Sequence, residues 1–137
     1  YAVMGVAVNC GPALMGDDIE GICQSVMDIP VCVSDASGFN GDADRGWSDA
    51  MISLLRKVPH FSEKKQAWKI NVIGQCILDP ASDESWENVL FIPGGQLMTY
   101  GELSLLSEAE RNVVAHPRGL AVARWLEENT QVPYSIQ

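Results

Sequence analysis

The stretch "RNVVAHPRGLAVARWLEENTQVPYSI" (residues 111–136) decides the fold class. "RNVVA" (111–115) is short, ends in the apolar Val113-Val114-Ala115 and predicts a buried strand. "PRGLAVARWLEENT" (117–130) predicts a helix, with Pro117 near the first position, where a missing N–H leaves no hydrogen bond unmade. "VPYSI" returns to strand character. A strand, a helix and another strand in quick succession point to parallel strands joined by helical crossovers.

The same alternation extends upstream. "TYGELSLLSEAE" begins with Thr99 and Glu102 at capping-box spacing and predicts a helix. Before it lie the strand "VLFI" (89–92) with its turn "PGGQ", a short helix over "DPASDESWEN" (79–88), and a third buried strand, "KINVIGQ" (69–75). "PHFSEKKQAW" (59–68) is polar and reads as a connector.

Further back, "AVMGVAV" (2–8), bounded by "NCGP", has the length and composition of a strand buried on both faces. In "GDDIEGICQSVMD", Ile19, Ile22, Cys23, Val26 and Met27 recur at helical spacing, with Asp17, Asp18 and Glu20 where the helix dipole favours anions. "IPVCVSD" (29–35) is a strand. The loop "ASGFNGDADRG" (36–46) then leads into a helix striped by Trp47, Ala50, Met51, Leu54, Leu55 and Val58.

The fold class is therefore α/β: a doubly wound, mostly parallel sheet with Rossmann-like, flavodoxin-like layering. Residues 1–58 read as the end of one such lobe, 59–68 as the connector and 69–137 as the start of the next. The sequence contains no internal repeat and no low-complexity segment.

Composition narrows the function. The 137 residues are 47% hydrophobic and 20% charged, an ordinary globular balance. Nine Lys and Arg against eighteen Asp and Glu give a net charge of −9, which argues against a nucleic-acid partner, since phosphate-backbone affinity needs clustered cations. No apolar run approaches the roughly 18–20 residues that span a bilayer, and nothing resembles a signal peptide. The expectation is a cytoplasmic protein with no membrane partner. The chain opens almost directly into a strand and stops in another, so it reads as a piece of something longer.

Cys10, Cys23, Cys32 and Cys76 form no C-x-x-C pair, so neither a zinc ribbon nor a thioredoxin motif fits. Cys23 and Cys32 fall on apolar faces, where a free thiol acts as a small hydrophobe. Cys10 and Cys76 follow strands and stay open as functional candidates.

Ligands of such sheets bind beyond the carboxyl ends of the strands. Those ends carry Asn9-Cys10-Gly11-Pro12, Ser34-Asp35-Ala36-Ser37-Gly38, Gly74-Gln75-Cys76, Pro93-Gly94-Gly95 and His116-Pro117-Arg118. No dinucleotide or P-loop signature follows a strand. His116 has two readings: a contact to something bound at the strand end, or a polar residue at the start of a helix. Arg118 is correspondingly an anion contact or a solvated charge. Gly94 and Gly95 would let backbone approach a ligand closely.

"NCGPALMGDDIEGI" (9–22) resembles the element Cys-Pro-x-x-(Leu/Ile)-Ile-Gly-Asp-Asp-(Ile/Leu)-Glu of the nitrogenase component 1 family. That family comprises nitrogenase molybdenum-iron protein subunits, cofactor-assembly scaffolds and light-independent protochlorophyllide reductases. The similarity runs on through "IPVCVSDASGFNGDADRGWSDAMISLL", "KINVIGQ" and "GGQLMTYGELSLLSEAERNVVAHPRGLAVARWLEENTQVPY", in the family's order and over nearly the whole chain.

The resemblance implies a nitrogenase-like oxidoreductase subunit of a heterotetramer. It would pair with a homologous second subunit and receive electrons from an ATP-dependent iron protein through an iron–sulfur cluster. Cys10 matches a cysteine that ligates an interface cluster, whose other cysteines lie upstream of this motif. His116 falls where the nitrogenase catalytic subunit has a cofactor-ligating cysteine, and Arg118 matches an arginine two residues on. The interval from Asp79 to Val89 is shorter than the family's, which implies a trimmed crossover or omitted residues. Two alternatives remain: a non-catalytic scaffold for iron–sulfur cofactor assembly, or a flavodoxin-like small-molecule binding module.

Overall fold

The computed structural model describes residues 3–39, 41–79 and 86–137. The chain divides into two compact units, Tyr1–Val58 and Pro59–Gln137.

In the first unit, β1 (Met4–Val8) pairs in parallel with β2 (Val31–Asp35), from Met4 opposite Val31 to Val8 opposite Asp35. Between them lie α1 (Cys10–Met15) and α2 (Ile19–Val26). Asn9 caps α1, its side chain accepting the Gly11 N–H at 3.2 Å, and Asp18 caps α2 by accepting the Gly21 N–H at 2.9 Å. After β2 comes α3 (Ala43–Leu55), capped by Asp42, which accepts the Arg45 N–H at 3.0 Å. This helix starts four residues before Trp47 because Asp42 supplies the cap. α2 and α3 pack on β2, where Val31 and Cys32 are buried. β1 was expected to be buried on both faces. It is open instead, with Met4, Gly5 and Ala7 exposed, because among the described residues β2 is the one strand beside it, and α2 and α3 pack on β2.

The second unit is built on a four-stranded sheet, all of it parallel. Its strands are β3 (Gln66–Ile73), β4 (Val89–Phe91), β5 (Ala109–Val114) and β6 (Tyr134–Ile136), in the order β4-β3-β5-β6. The chain starts inside the sheet, adds one strand on one side and then two on the other. That reversal is the topology of a doubly wound sheet, and it creates a switch point between β3 and β5. β3 begins three residues earlier than the sequence pattern suggests, with a bulge between Gln66 and Ile70, so its first residues lie in the expected connector. The short helix expected over 79–88 falls largely on residues 80–85, outside those described.

The segment Tyr100–Glu108 is a 3₁₀ helix. Leu103 and Leu106 stand three residues apart and are both buried, a spacing that lines up on a helix of three residues per turn. The Glu102 carboxylate accepts from the Thr99 N–H at 2.6 Å and the Thr99 hydroxyl at 2.7 Å. After β5, a 3₁₀ turn at Pro117–Gly119 feeds α4 (Leu120–Thr130), which buries Val122, Ala123 and Leu126. Val72, Ile73, Val113 and Val114 complete this core.

Two buried asparagines tie the second unit's central strands to their connections. Asn71 on β3 donates through Nδ2 to Asn112 Oδ1 on β5 at 2.8 Å and to Leu106 O at 2.7 Å. Asn112 Nδ2 donates to Val132 O at 3.1 Å.

Candidate functional site

β3 and β5 are parallel neighbours with Ile73 opposite Val114, so their carboxyl ends deliver two loops to the same edge. Gly74 and Gly119 bring these loops into backbone contact. A Cβ on Gly74 would lie 2.8 Å from His116 O, and one on Gly119 would lie 2.5 Å from Ile73 O. Both positions are closed to any larger residue.

His116 caps the 3₁₀ turn. Its Nδ1 accepts the Arg118 N–H at 3.3 Å and the Arg118 Nε–H at 3.1 Å, so the imidazole orients the guanidinium. The other face of that guanidinium meets Asp79, with Nη1 3.1 Å from Oδ1 and 3.3 Å from Oδ2. Asp79 closes its own turn as well. Its Oδ2 accepts the Cys76 N–H at 2.8 Å, and its own N–H donates to Cys76 O at 2.9 Å. The Cys76 amide, and after it Arg118, hold the Asp79 carboxyl below the usual aspartate range.

Gly94 and Gly95 join the same edge from the end of β4. Ile77 N–H donates to Gly94 O at 2.7 Å, and Gly94 takes a left-handed φ of 79°. A Cβ on Gly95 would stand 2.5 Å from Ile92 Cγ2 and 3.1 Å from Gln75 Cβ, so close packing already requires this glycine.

The structure thus brings His116, Arg118, Gly94 and Gly95 together around the 74–79 loop, at the switch point. His116 and Arg118 are half-buried at the rim. The sequence reading did not single out Asp79 or Gly119. Asp79 lies 39 residues from Arg118, and no local pattern announces their pairing.

Cys10 belongs to the first unit, where it is the exposed first residue of α1. It offers one thiol. Among the described residues, no group of three or more His, Cys, Asp and Glu could hold a metal ion. The described donor set therefore does not by itself fit an iron–sulfur cluster, which four protein ligands usually hold. Cys32 is buried and donates its S–H to Met4 O at 3.4 Å, and burial raises its thiol pKa. Cys23 and Cys76 are half-buried. A cavity of 220 Å³ opens between the end of β2 and the start of α3, lined by Asp35, Ser37, Asp42, Arg45 and Asp49 among others.

No helix among the described residues is long and apolar enough to cross a membrane. The family description "nitrogenase component 1 type oxidoreductase" matches residues 1–136. The nitrogenase iron-molybdenum cofactor biosynthesis protein NifE of Klebsiella pneumoniae is 28% identical over 92% of this chain and 32% of its own length. NifE of Methanosarcina barkeri is 25% identical over 96% of this chain and 33% of its own length. The chain thus spans about a third of the curated relatives it matches. Structures titled nitrogenase Cp1 at pH 5 and at pH 6.5 superpose with TM-scores of 0.74 and 0.75, at 22% identity. They cover 98% of this chain and 30% and 28% of theirs, and they establish likeness of fold.

Proposed function

We propose that this chain, which belongs to the nitrogenase component 1 type oxidoreductase family, is a segment of a non-catalytic scaffold on which an iron–sulfur cofactor is assembled and passed on. The observation that carries this reading is the chemistry at the end of β5. An imidazole and a guanidinium stand at the switch point, at the strand end where the resemblance implies a cofactor-ligating cysteine in the catalytic nitrogenase subunit. Such a pair suits reversible holding of an anionic cofactor better than a permanent thiolate bond does. The names of the two NifE relatives support the same role.

In this reading His116 orients Arg118, Arg118 meets negative charge on the cargo, and the Gly94–Gly95 turn forms part of the rim. The intact protein would work in the cytoplasm, paired with a homologous second subunit and served by an ATP-dependent iron protein. The two lobes would be the end of one Rossmann-like domain and the start of the next.

One observation favours a second reading, a reductase subunit that receives electrons through a cluster. Cys10 is exposed at the end of β1, where a thiolate could join ligands supplied from elsewhere.

The test uses the full-length protein purified without oxygen. A scaffold loads cofactor, transfers it to a recipient and reduces no substrate when given iron protein and ATP. Turnover under those conditions would replace this reading with the reductase. Iron and acid-labile sulfide should fall in Cys10→Ala and hold in Cys23→Ala. Equal iron in wild type and Cys10→Ala would remove the cluster role of Cys10 in either reading.

A further inference from the structure

The polar stretch 59–68 reads as one connector, but most of it is fastened down. Val58 still belongs to the first unit. Its N–H and that of Lys57 close the last turn of α3 on Leu55 O and Leu54 O, both at 3.1 Å, and Lys57 Nζ reaches Glu20 on α2 at 2.9 Å. The second unit takes hold at Phe61, whose ring packs against Trp125 of α4 with centroids 6.1 Å apart. Ser62 N–H donates to Ser104 O at 2.9 Å, and Ser62 O accepts the Ser107 hydroxyl at 2.6 Å. Both oxygens of Glu108 are taken by this segment, one by Ser62 Oγ and the other by Gln66 Nε2. Lys65 Nζ donates to Ser107 O at 2.6 Å. Ser107 and Glu108 are buried, so residues 61–66 are tied to fixed groups along their length. Pro59 and His60 lie between the two sets of bonds, and both are exposed.

We infer that residues 61–66 are a strap of the second unit, and that Pro59-His60 alone is the hinge of this chain. Two residues span at most about 7 Å. The proline ring fixes one torsion and restricts the backbone of Val58, so the free rotations are chiefly those at His60. A flexible connector over all of 59–68 would let the two units move independently. A joint this short confines any reorientation to a swing about His60, as in hinges made of a few residues at the end of an element. Glu108 sets the length of the joint. Loss of its two bonds would free the strap and extend the joint toward Gln66.

The test is hydrogen exchange of the full-length protein, read residue by residue by mass spectrometry with electron-transfer fragmentation. The His60 amide should exchange at the rate of an unfolded chain. The amides of Ser62 and Lys64, bonded to Ser104 O and Ser62 Oγ, should exchange at least about ten-fold more slowly. In Glu108→Ala those two amides should speed up by at least about ten-fold, while Val58 keeps its wild-type rate. Should that variant fold poorly, insertion of Gly-Gly after His60 decides. A strap held within the second unit keeps its protection after the insertion, whereas a segment held taut between the units loses it. A His60 amide as slow as that of Ser62, Ser62 and Lys64 amides as fast as that of His60, or strap exchange unchanged in Glu108→Ala would each overturn the inference.

Discussion

Gly74 and Gly119 stand backbone to backbone where the two central strands of the second unit end, so neither can carry a side chain in the present geometry. Gly74 also takes a φ of 104°, a region costly for other residues by about 1–3 kcal/mol. Gly119→Ala should lower stability by about 1–3 kcal/mol through overpacking, and Gly74→Ala by more, since strain adds to the clash. Both should loosen the His116–Arg118 edge. Urea denaturation checks the stability, and the amide spectrum of residues 74–79 and 116–119 checks the edge. Wild-type stability in Gly119→Ala would show that the loops separate freely.

The buried asparagine pair supplies a second prediction. Both side chains are fully buried, so Asn112→Ala leaves the Asn71 amide short of one acceptor and Val132 O short of its donor. Stranded buried groups cost about 1–3 kcal/mol each. Loss of about 2–4 kcal/mol in chemical denaturation is expected. A change below about 0.5 kcal/mol, the size of an ordinary surface substitution, would mean that water replaces the lost contacts.

Glu108 gives the second unit a defined acid sensitivity. Its carboxylate accepts from Ser62 Oγ at 2.5 Å and Gln66 Nε2 at 2.6 Å, and these two bonds, in that order, lower its pKa. A carboxyl whose pKa is lower folded than unfolded stabilises the fold fully above its unfolded value. That contribution is lost as pH falls through the lowered folded value. Between neutral pH and about pH 3, stability should therefore fall less steeply in Glu108→Gln than in wild type. Parallel pH profiles by chemical denaturation would show that Glu108 does not anchor the 62–66 segment.

Much of this was legible in the sequence. Short apolar runs inside 69–75 (Ile70, Val72, Ile73), 89–92 and 111–115 (Val113, Val114, Ala115) place the parallel strands, because strands covered on both faces carry such runs rather than a strict alternation. His116, Arg118 and the Gly94–Gly95 turn were legible as strand-end residues, because crossover topology sends every such end to one edge. Asp79 was not, since its pairing with Arg118 exists only once β3 and β5 lie side by side. The helix Cys10–Met15 was missed because six residues with a proline at the third carry almost no periodicity. The openness of β1 could not be read from composition, because apolar residues show what a strand can bury, not what lies beside it.

The thiols should separate by environment. Cys10 is exposed, whereas Cys32 is buried with a raised pKa and an S–H that donates to Met4 O. Only the thiolate reacts with iodoacetamide. In the native chain at pH 8, Cys10 should be alkylated at least about ten-fold faster than Cys32, with the difference vanishing in denaturant. Mass spectrometry of timed digests reads both sites. Comparable native rates would mean that the first unit opens readily.

The last prediction concerns His116, whose imidazole has two separable roles. As a cap, Nδ1 accepts the Arg118 N–H, a function that an asparagine side chain fulfils well. As an orienting group, the same nitrogen accepts the Arg118 Nε–H at 3.1 Å and fixes the guanidinium toward Asp79. His116→Ala should cost about 1 kcal/mol of stability through the lost cap, and His116→Asn should restore most of it. Cofactor loading of the full-length protein, measured beside stability, then divides the roles. If Asn restores the fold and loading stays low, the imidazole itself meets the cofactor or aims Arg118 at it. If loading returns together with stability, His116 is a capping residue and the cofactor contact lies with Arg118.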